Sequence, residues 1–240
     1  MQKLPRRLAL LLLVLLAVAA CEREGAPEPP RIDILGTQKK LYSQFDEELV
    51  IRDFFQDRRG GFFLDVGAAD PTINSTTFYL EKHLDWTGFA VDAVLDYGIL
   101  WQMQRPRSRF FNYLITDHAA GPETFYRAGV RTLSSTIKDR KWGEQTLGAV
   151  EVQVPTMTLT KLLDDNGIAR IDFLSMDIEE SEPAALKGFD IERFRPDLVC
   201  IEASPSVREP ILAYFAEHGY ERIDRYLERD QINWYFRPRS

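Results

Sequence analysis

Few residues of the types that build zinc sites or disulfides occur in this sequence. It contains two cysteines and three histidines in 240 residues. The histidines, His83, His118 and His218, show neither HxH nor HExxH spacing, which argues against a zinc centre. Cys200 lies in an apolar run, so we predict a buried small side chain rather than a reactive thiol. A GxSxG motif is also missing, so serine-hydrolase chemistry has no support.

An excess of positive charge is missing as well. Lys and Arg number 30 against 37 Asp and Glu, which gives a formal net charge of −7. A nucleic-acid surface needs a basic stripe, so we expect no nucleic-acid partner. With 45% hydrophobic and 12% aromatic residues, the chain can bury the core of one α/β domain.

No apolar run reaches the length of about 20 residues that spans a bilayer comfortably. The run Leu8–Ala20 follows the basic residues Lys3, Arg6 and Arg7 and ends at Cys21. A basic start followed by a short apolar core is typical of a secretory signal. The Val-Ala-Ala-Cys at its end resembles a bacterial lipobox, which implies lipidation of Cys21 and cleavage just before it. The alternatives are an ordinary signal peptide or an uncleaved anchor, with Cys21 incidental.

The segment after Cys21 is rich in charge and proline and has no periodicity, which predicts a solvated tether. We therefore predict a signal peptide at 1–20, a lipid-anchored tether at 21–40 and one domain at 41–240. The basic residues should stay inside, which favours export and a membrane-anchored protein at the periplasmic or outer face. The sequence does not indicate an oligomeric state.

A strand, a tight turn, a helix and a second strand are predicted between Gly61 and Asp92. The first strand is an apolar run that contains Asp65 near its end, and Gly67 and Ala68 open the turn. Such βαβ units hold nucleosides in doubly wound folds, because small residues let the backbone approach the ligand. An acid after the second strand, here Asp92, can accept hydrogen bonds from both ribose hydroxyls.

The helix of this unit has two candidate N-terminal caps, Asn74 and Ser75. Further along, strands alternate with helices, which predicts a mostly parallel sheet. We predict a strand at 110–115, a long loop at 128–148, and an edge strand at 150–154 that Pro155 stops. Segments 221–227 and 232–236 are predicted as a closing antiparallel pair.

Four acids fall at or just past the ends of predicted central strands. They are Asp65, Asp92, Asp177 and Glu202. Ligands of open α/β sheets bind at this edge, in the crevice where the strand order reverses. A single acid at a strand end is explained as well by capping of the next helix, but four together indicate a site.

Two blocks of the chain resemble the FkbM-type methyltransferases, a family dependent on S-adenosylmethionine (SAM). The first is DVGAADPTINSTTFYLEKHLDWTGFAVDA, and the second contains TLTKLL, IDFLSMDIE, LKGFD and RPDLVCIEA in that order. The resemblance covers roughly Tyr42 to Pro238. It implies a doubly wound, mostly parallel, seven-stranded Rossmann-like α/β sheet of the class I methyltransferase type with a C-terminal antiparallel strand pair.

The resemblance also carries over site residues. It places the methionine part of SAM at Asp65, Gly67, Ala68 and Asp70, with Ser75 capping the helix behind. It implies that Asp92 binds the ribose of SAM and that Asp117 lies near the adenine edge. The acids Asp177, Glu179 and Glu182 match a family segment that faces the transferred methyl group and the acceptor.

Two positions depart from the family pattern. Pro71 replaces the glycine of a typical methyltransferase loop, although an Asp-Pro form also occurs in the family. Glu180 stands where the family usually has glycine, and a side chain there would crowd a positive-φ backbone or narrow the acceptor pocket. Because of these two departures, the family's acceptor substrate and its catalytic activity do not carry over directly to this chain.

Family members mostly methylate hydroxyls, often of sugars or natural products, and a hydroxyl needs a base. We predict Asp177 as that base, with Glu179 or Glu202 in support, and Trp142 as an acceptor contact. The three acids could instead hold Mg²⁺, or Glu179 and Glu182 could simply stabilise a helix start. We expect SAM as the cofactor and no bound metal.

The two ends of the chain imply different compartments, because SAM is held in the cytoplasm and a lipobox directs export. Two functions therefore stand. One is a membrane-anchored SAM-dependent O-methyltransferase acting on a saccharide or similar small acceptor. The other is an exported, non-catalytic binding module that retains the methyltransferase fold.

Overall fold

The chain is represented by a computed structural model that describes residues 30–128, 134–136, 141–142, 145–146 and 149–239. The signal peptide, Cys21 and most of the predicted tether lie outside these residues. Within the predicted tether, Ile34 is buried beside a 3₁₀ turn at Leu35–Thr37. The predicted domain boundaries stay predictions. In the described residues, no helix has the length and apolarity needed to cross a membrane.

The described residues from Glu47 onward form helices and strands. The helices are α1 Glu47–Phe55, α2 Phe78–Leu84, α3 Tyr97–Gln104, α4 Leu159–Asp165, α5 Glu182–Lys187, α6 Ile191–Phe194 and α7 Arg208–Glu217. The first eight strands are β1 Phe62–Val66, β2 Thr87–Asp92, β3 Arg109–Asn112, β4 Leu114–Ile115, β5 Pro122–Ala128, β6 Lys141–Trp142, β7 Gln145–Thr146 and β8 Ala149–Met157. The last four are β9 Phe173–Met176, β10 Leu198–Glu202, β11 Tyr220–Arg222 and β12 Asn233–Pro238.

Seven strands form the main sheet in the order β11-β12-β10-β9-β1-β2-β3. The strands β10, β9, β1, β2 and β3 are parallel, while β12 is antiparallel to both β10 and β11. This confirms the predicted α/β sheet and its C-terminal antiparallel pair. The order reverses at β1, which has β2 on one side and β9 on the other. A ligand crevice is expected there, outside the carboxyl ends of these strands.

The core lies on both faces of this sheet because its central strands are apolar at most positions. Residues of β1, β9 and β10 are almost entirely buried. Trp86, Trp101 and Trp234 are buried, and Cys200 is buried as predicted. Thr158 caps α4 by accepting a hydrogen bond from the Lys161 amide.

Two strand predictions were wrong in ways that the tertiary structure explains. The predicted strand 110–115 divides at Tyr113, because β3 pairs with β2 whereas β4 pairs with β8 of a second sheet. Pro155 does not stop β8, which continues to Met157. The strand β4 lies beside β8 only from Thr156 onward, so the missing amide of Pro155 removes no bond to β4.

The predicted long loop contains a short antiparallel pair, β6 with β7, in the part that the structure describes. The acceptor contact predicted for Trp142 depends on a side chain outside that part, and it stays a prediction.

Candidate active site

A cavity of about 620 Å³ opens at the carboxyl ends of the central strands. Its lining includes seven acidic residues, and its described lining contains no Lys, Arg or His. The acids are Glu47, Asp65, Asp70, Asp92, Asp177, Glu179 and Glu202. The uncharged wall beside Asp92 is formed by Val94, Tyr97, Tyr113, Leu114, Ile115 and Phe125. The cavity therefore joins a negatively charged floor to an apolar and aromatic side.

The turn after β1 is built around Gly67, which has a φ of 79°. A Cβ at this position would lie 1.8 Å from the carbonyl oxygen of Asp177, so no other residue fits without moving the backbone. The amides of Gly67 and Ala68 donate to the Val91 carbonyl at 2.9 and 3.2 Å. Gly67 thus brings the ends of β1, β2 and β9 together, and both small residues line the cavity.

Asp92 ends β2 and lines the cavity, and backbone amides hold both of its carboxylate oxygens in place. The Ala69 amide donates to Oδ2 at 2.9 Å and the Val94 amide donates to Oδ1 at 2.7 Å. Burial raises the pKa of Asp92 to about 6, and Asp65 adds to the rise. Each carboxylate oxygen keeps a second lone pair, so the group can still accept hydrogen bonds from a ligand.

The segment after Ala69 turns at Asp70. Its Oδ1 accepts hydrogen bonds from the amides of Thr72 and Ile73 at 2.9 and 2.8 Å, which is an Asx-type turn. The predicted cap Ser75 does not cap the following helix: α2 begins at Phe78 after Thr77, with no side-chain capping bond. Ser75 is buried, does not line the cavity, and instead accepts from Arg105 at 3.3 Å.

Arg105 is fully buried behind this segment, and the sequence prediction missed it. Its Nε donates to Glu81 at 2.8 Å and its Nη1 to the Thr77 hydroxyl at 3.0 Å. The Thr77 hydroxyl in turn donates to Asp65 at 2.7 Å. The guanidinium also lies 4.3 Å from the Trp101 ring centre. In the sequence, an arginine followed by proline has the pattern of a solvated helix end. Only the tertiary structure, which places Glu81 beside Arg105, reveals the buried ion pair.

The same network acts on Asp65. Burial raises the pKa of this carboxyl group, and the hydrogen bond from Thr77 and the charge of Arg105 offset part of the rise. Asp65 lines the cavity, but its carboxylate already accepts a hydrogen bond from the Thr77 hydroxyl. Its role is therefore to hold the turn and to add negative charge below it.

The position of Asp117 corrects one prediction. Its side chain is 48% exposed, pairs with His118 at 2.7 Å, and does not line the cavity. The chain leaves the main sheet at Tyr113, which carries Asp117 away from the β3 end. The residues that do face the cavity there are Tyr113, Leu114 and Ile115.

Acidic side chains from β9, α5 and β10 meet at the other end of the cavity. Single carboxylate oxygens of Asp177, Glu182 and Glu202 all lie within 4.8 Å of one another. Asp177 is exposed to the cavity. Partial desolvation by the protein groups around it, together with the charges of Glu202, Glu179 and Glu182, raises its pKa well above the usual range. Burial likewise raises the pKa of Glu182 to about 7.

Two consecutive residues after Asp177 have left-handed backbone conformations. Glu179 has a φ of 59° and Glu180 a φ of 74°. Glu180 is the residue for which the family resemblance indicates glycine, so the backbone keeps the glycine conformation although a side chain is present. Ser204 donates to the Glu180 carboxylate at 3.3 Å, and Ser135 donates to the Glu179 carbonyl at 3.3 Å.

Glu47 is a further acid that sequence reasoning missed. It begins α1, is buried, and lines the cavity. Its carboxylate accepts hydrogen bonds from the Phe45 amide at 2.6 Å and from Asn233 at 3.3 Å. Burial raises its pKa to about 7, and the charge of Asp230 adds to the rise. In sequence it has the pattern of an ordinary first-turn glutamate, which is stabilising at a helix start whether or not it faces a site.

A model of the methyltransferase FkbM domain matches residues 65–222, which include every strand end of the site. The chain belongs to the FkbM methyltransferase domain family. One relative, the methyltransferase sdnD of Sordaria araneosa, is 30% identical over 120 residues. The match covers 45% of this chain and 43% of that relative, so the chain spans less than half of its length.

Two solved structures are similar at lower identity. A TehB-like SAM-dependent methyltransferase from Corynebacterium glutamicum is 12% identical, with a TM-score of 0.44 over 86% of this chain and 93% of the other. A 1,6-didemethyltoxoflavin-N1-methyltransferase of Burkholderia thailandensis, with bound S-adenosylhomocysteine, is 11% identical, with a TM-score of 0.40 over 100% and 92%. The fold is established by the strand order of the main sheet.

Proposed function

We propose that this protein is a SAM-dependent methyltransferase. The observation that carries the proposal is the charge of the cavity: seven carboxylates line it, and its described lining has no basic side chain. SAM is cationic at its sulfur and at its amino group, and it contains a ribose for Asp92. A dinucleotide would bring phosphates against the carboxylates, and α2 begins too far from the turn to receive them at its N-terminus.

The residues that would hold SAM follow from the cavity. Asp92 would accept hydrogen bonds from the ribose hydroxyls, and Tyr97, Leu114 and Ile115 would cover the adenine. The turn at Gly67 and Ala68, with Asp70 beside it, would receive the methionine part. When bound, SAM supplies a methyl group on a positively charged sulfur, and the electron pair of the broken C–S bond returns to that sulfur.

Asp177 is the proton acceptor in this proposal. It faces the cavity at the end of β9, and a carboxylate with a raised pKa is a stronger base than one in water. An acceptor hydroxyl would form the new O–C bond while its proton passes to Asp177, with Glu179 or Glu202 adjacent. The acidic floor favours a neutral or cationic acceptor, which agrees with a hydroxyl of a saccharide or similar small molecule.

Calorimetric titration of the full chain with SAM and S-adenosylhomocysteine tests the proposal. We expect saturable binding that Asp92→Ala weakens about tenfold or more, because hydrogen bonds to a charged group are lost. Asp117→Ala is the matched control, since Asp117 lies outside the cavity, and it should bind normally. The absence of binding at millimolar ligand would contradict the enzyme proposal.

An exported binding module without activity is the second candidate. Glu180 favours it, because a side chain in a left-handed backbone stands next to the proposed acceptor pocket. The predicted lipidation of Cys21 also favours it, since export separates the domain from cytoplasmic SAM. Labelling with palmitate would test the anchor, and label that persists in Cys21→Ser would overturn it.

A further inference from the structure

The cluster at the ends of β9 and β10 contains more negative charge than a single proton acceptor requires. Asp177, Glu182 and Glu202 each offer a carboxylate oxygen within 4.8 Å of the other two. Carboxylates this close repel one another unless a proton or a cation lies between them.

Glu182 supplies a second, independent observation. It is 0% exposed, and its Oε1 accepts a hydrogen bond from the Ile178 amide at 2.9 Å. Its Oε2 is buried and has no hydrogen-bond partner among the described residues. A buried carboxylate oxygen without a donor costs about 1–3 kcal/mol or more, so its persistence indicates a ligand that the protein itself does not provide.

We propose that Asp177, Glu182 and Glu202 bind a divalent cation of the Mg²⁺ type. In the part of the chain that the structure describes, this group contains three carboxylates and no nitrogen or sulfur ligand. Such an oxygen donor set is the one that Mg²⁺ and Mn²⁺ prefer. Mg²⁺ is commonly held by one or two carboxylates and keeps several waters, so a site open on the Asp177 side suits it. The amino-acid sequence predicted no bound metal, and Glu182 takes the place of Glu179 beside Asp177 and Glu202.

The cation would lie beneath the part of the cavity that we assign to the acceptor. Vicinal oxygens of a saccharide could replace waters bound to the cation. This role of the cation toward an acceptor hydroxyl rests on the proposed function. Binding of the cation itself does not require SAM. The two proposals can therefore fail separately.

Titration of the metal-free full chain with Mn²⁺, followed by the electron paramagnetic resonance of free Mn²⁺, measures the site directly. We expect one saturable site per chain and competition by Mg²⁺. Glu182→Gln should weaken binding about tenfold or more, as loss of ligand-shell groups does. Glu202→Gln should act in the same direction. Circular dichroism of each variant checks that the fold is retained, and the side-chain carbonyl in Glu182→Gln can still accept from the Ile178 amide.

Glu180→Gln is the matched control. Glu180 lies two positions before Glu182 in the chain and is not one of the three proposed ligands, so the substitution removes the same charge without removing a ligand. We expect it to change Mn²⁺ affinity less than threefold. Equal weakening by Glu180→Gln and Glu182→Gln would mean a diffuse acidic surface and would overturn the proposed site. The lack of saturable Mn²⁺ binding at millimolar metal would overturn it too, leaving a shared proton as the occupant. SAM titration of the same samples reports on the proposed function separately.

Discussion

Single residues decide the shape of this site at two positions. Gly67 is required for a steric reason as well as a conformational one, because its α-carbon faces the backbone of Asp177. Glu180 shows the opposite situation, since a residue with a side chain occupies a conformation that favours glycine. Both positions lie on the turns that bring Asp92 and Asp177 to one cavity.

Gly67→Ala should destabilise the domain by roughly 3–4 kcal/mol, the sum of left-handed strain and a backbone clash. The control Gly167→Ala has a similar φ of 68°, but a Cβ there meets nothing within 4 Å. It should therefore lose only about 1 kcal/mol. Urea unfolding of the two variants measures the difference. Equal losses would show that the contact with the Asp177 carbonyl is unimportant.

Glu180→Gly should stabilise the domain by about 1 kcal/mol, because it removes the side chain from a φ of 74°. Glu180→Ala loses the same charge and the same contact with Ser204 but keeps a Cβ. It should show no such gain. Thermal unfolding compares them, and a matching gain in the alanine variant would assign the effect to charge repulsion instead.

At the scale of elements, the buried Arg105 holds the connection between β1 and α2. It binds Glu81 of α2 and the Thr77 hydroxyl, and Thr77 binds Asp65 of β1. One residue at the end of α3 thus fixes the loop that we assign to the methionine part of SAM. This explains why α2 starts at Phe78 and not at the predicted caps.

Arg105→Lys should cost about 3 kcal/mol, because a lysine cannot reach the same set of partners and leaves Glu81 incompletely paired. The control Arg170→Lys concerns an arginine that is 62% exposed and pairs with Asp197. Exposed pairs contribute little, so its change should stay below about 0.5 kcal/mol. Guanidinium unfolding distinguishes them, and similar small losses would deny Arg105 this structural role.

At the scale of the whole molecule, acids with raised pKa values make stability depend on pH. Glu47 and Glu182 have pKa values of about 7 and Asp92 of about 6, all above their unfolded values. The folded state therefore binds more protons than the unfolded state between about pH 4.5 and 7. Stability must fall as pH rises through that window, since the unfolded chain ionises first.

For Glu47 alone the loss is on the order of 3 kcal/mol between pH 4.5 and 7.5, at 1.36 kcal/mol per unit of pKa difference. Unfolding in urea across this range, with EDTA present, should show wild-type stability falling with pH. Glu47→Gln should flatten the curve. Parallel curves for the two proteins would mean that Glu47 titrates normally in the folded state.

Much of the fold could be predicted because the apolar strands and their following turns have strong local signals. The βαβ unit and the closing antiparallel pair both follow from short-range pattern. The failures were non-local. Division of the strand at Tyr113 and continuation of β8 through Pro155 depend on which strands lie alongside, and no local pattern encodes that.

The amino-acid sequence by itself determined the family, the sheet and the acids at the strand ends, because apolar periodicity and turn chemistry act over a few residues. The tertiary structure alone decided which acids meet. It brought Glu47 into the cavity, excluded Asp117 and Ser75, and placed Glu182 with Asp177 and Glu202. Burial and distance set the charge state of a carboxyl group, and both are fixed only when distant segments pack together.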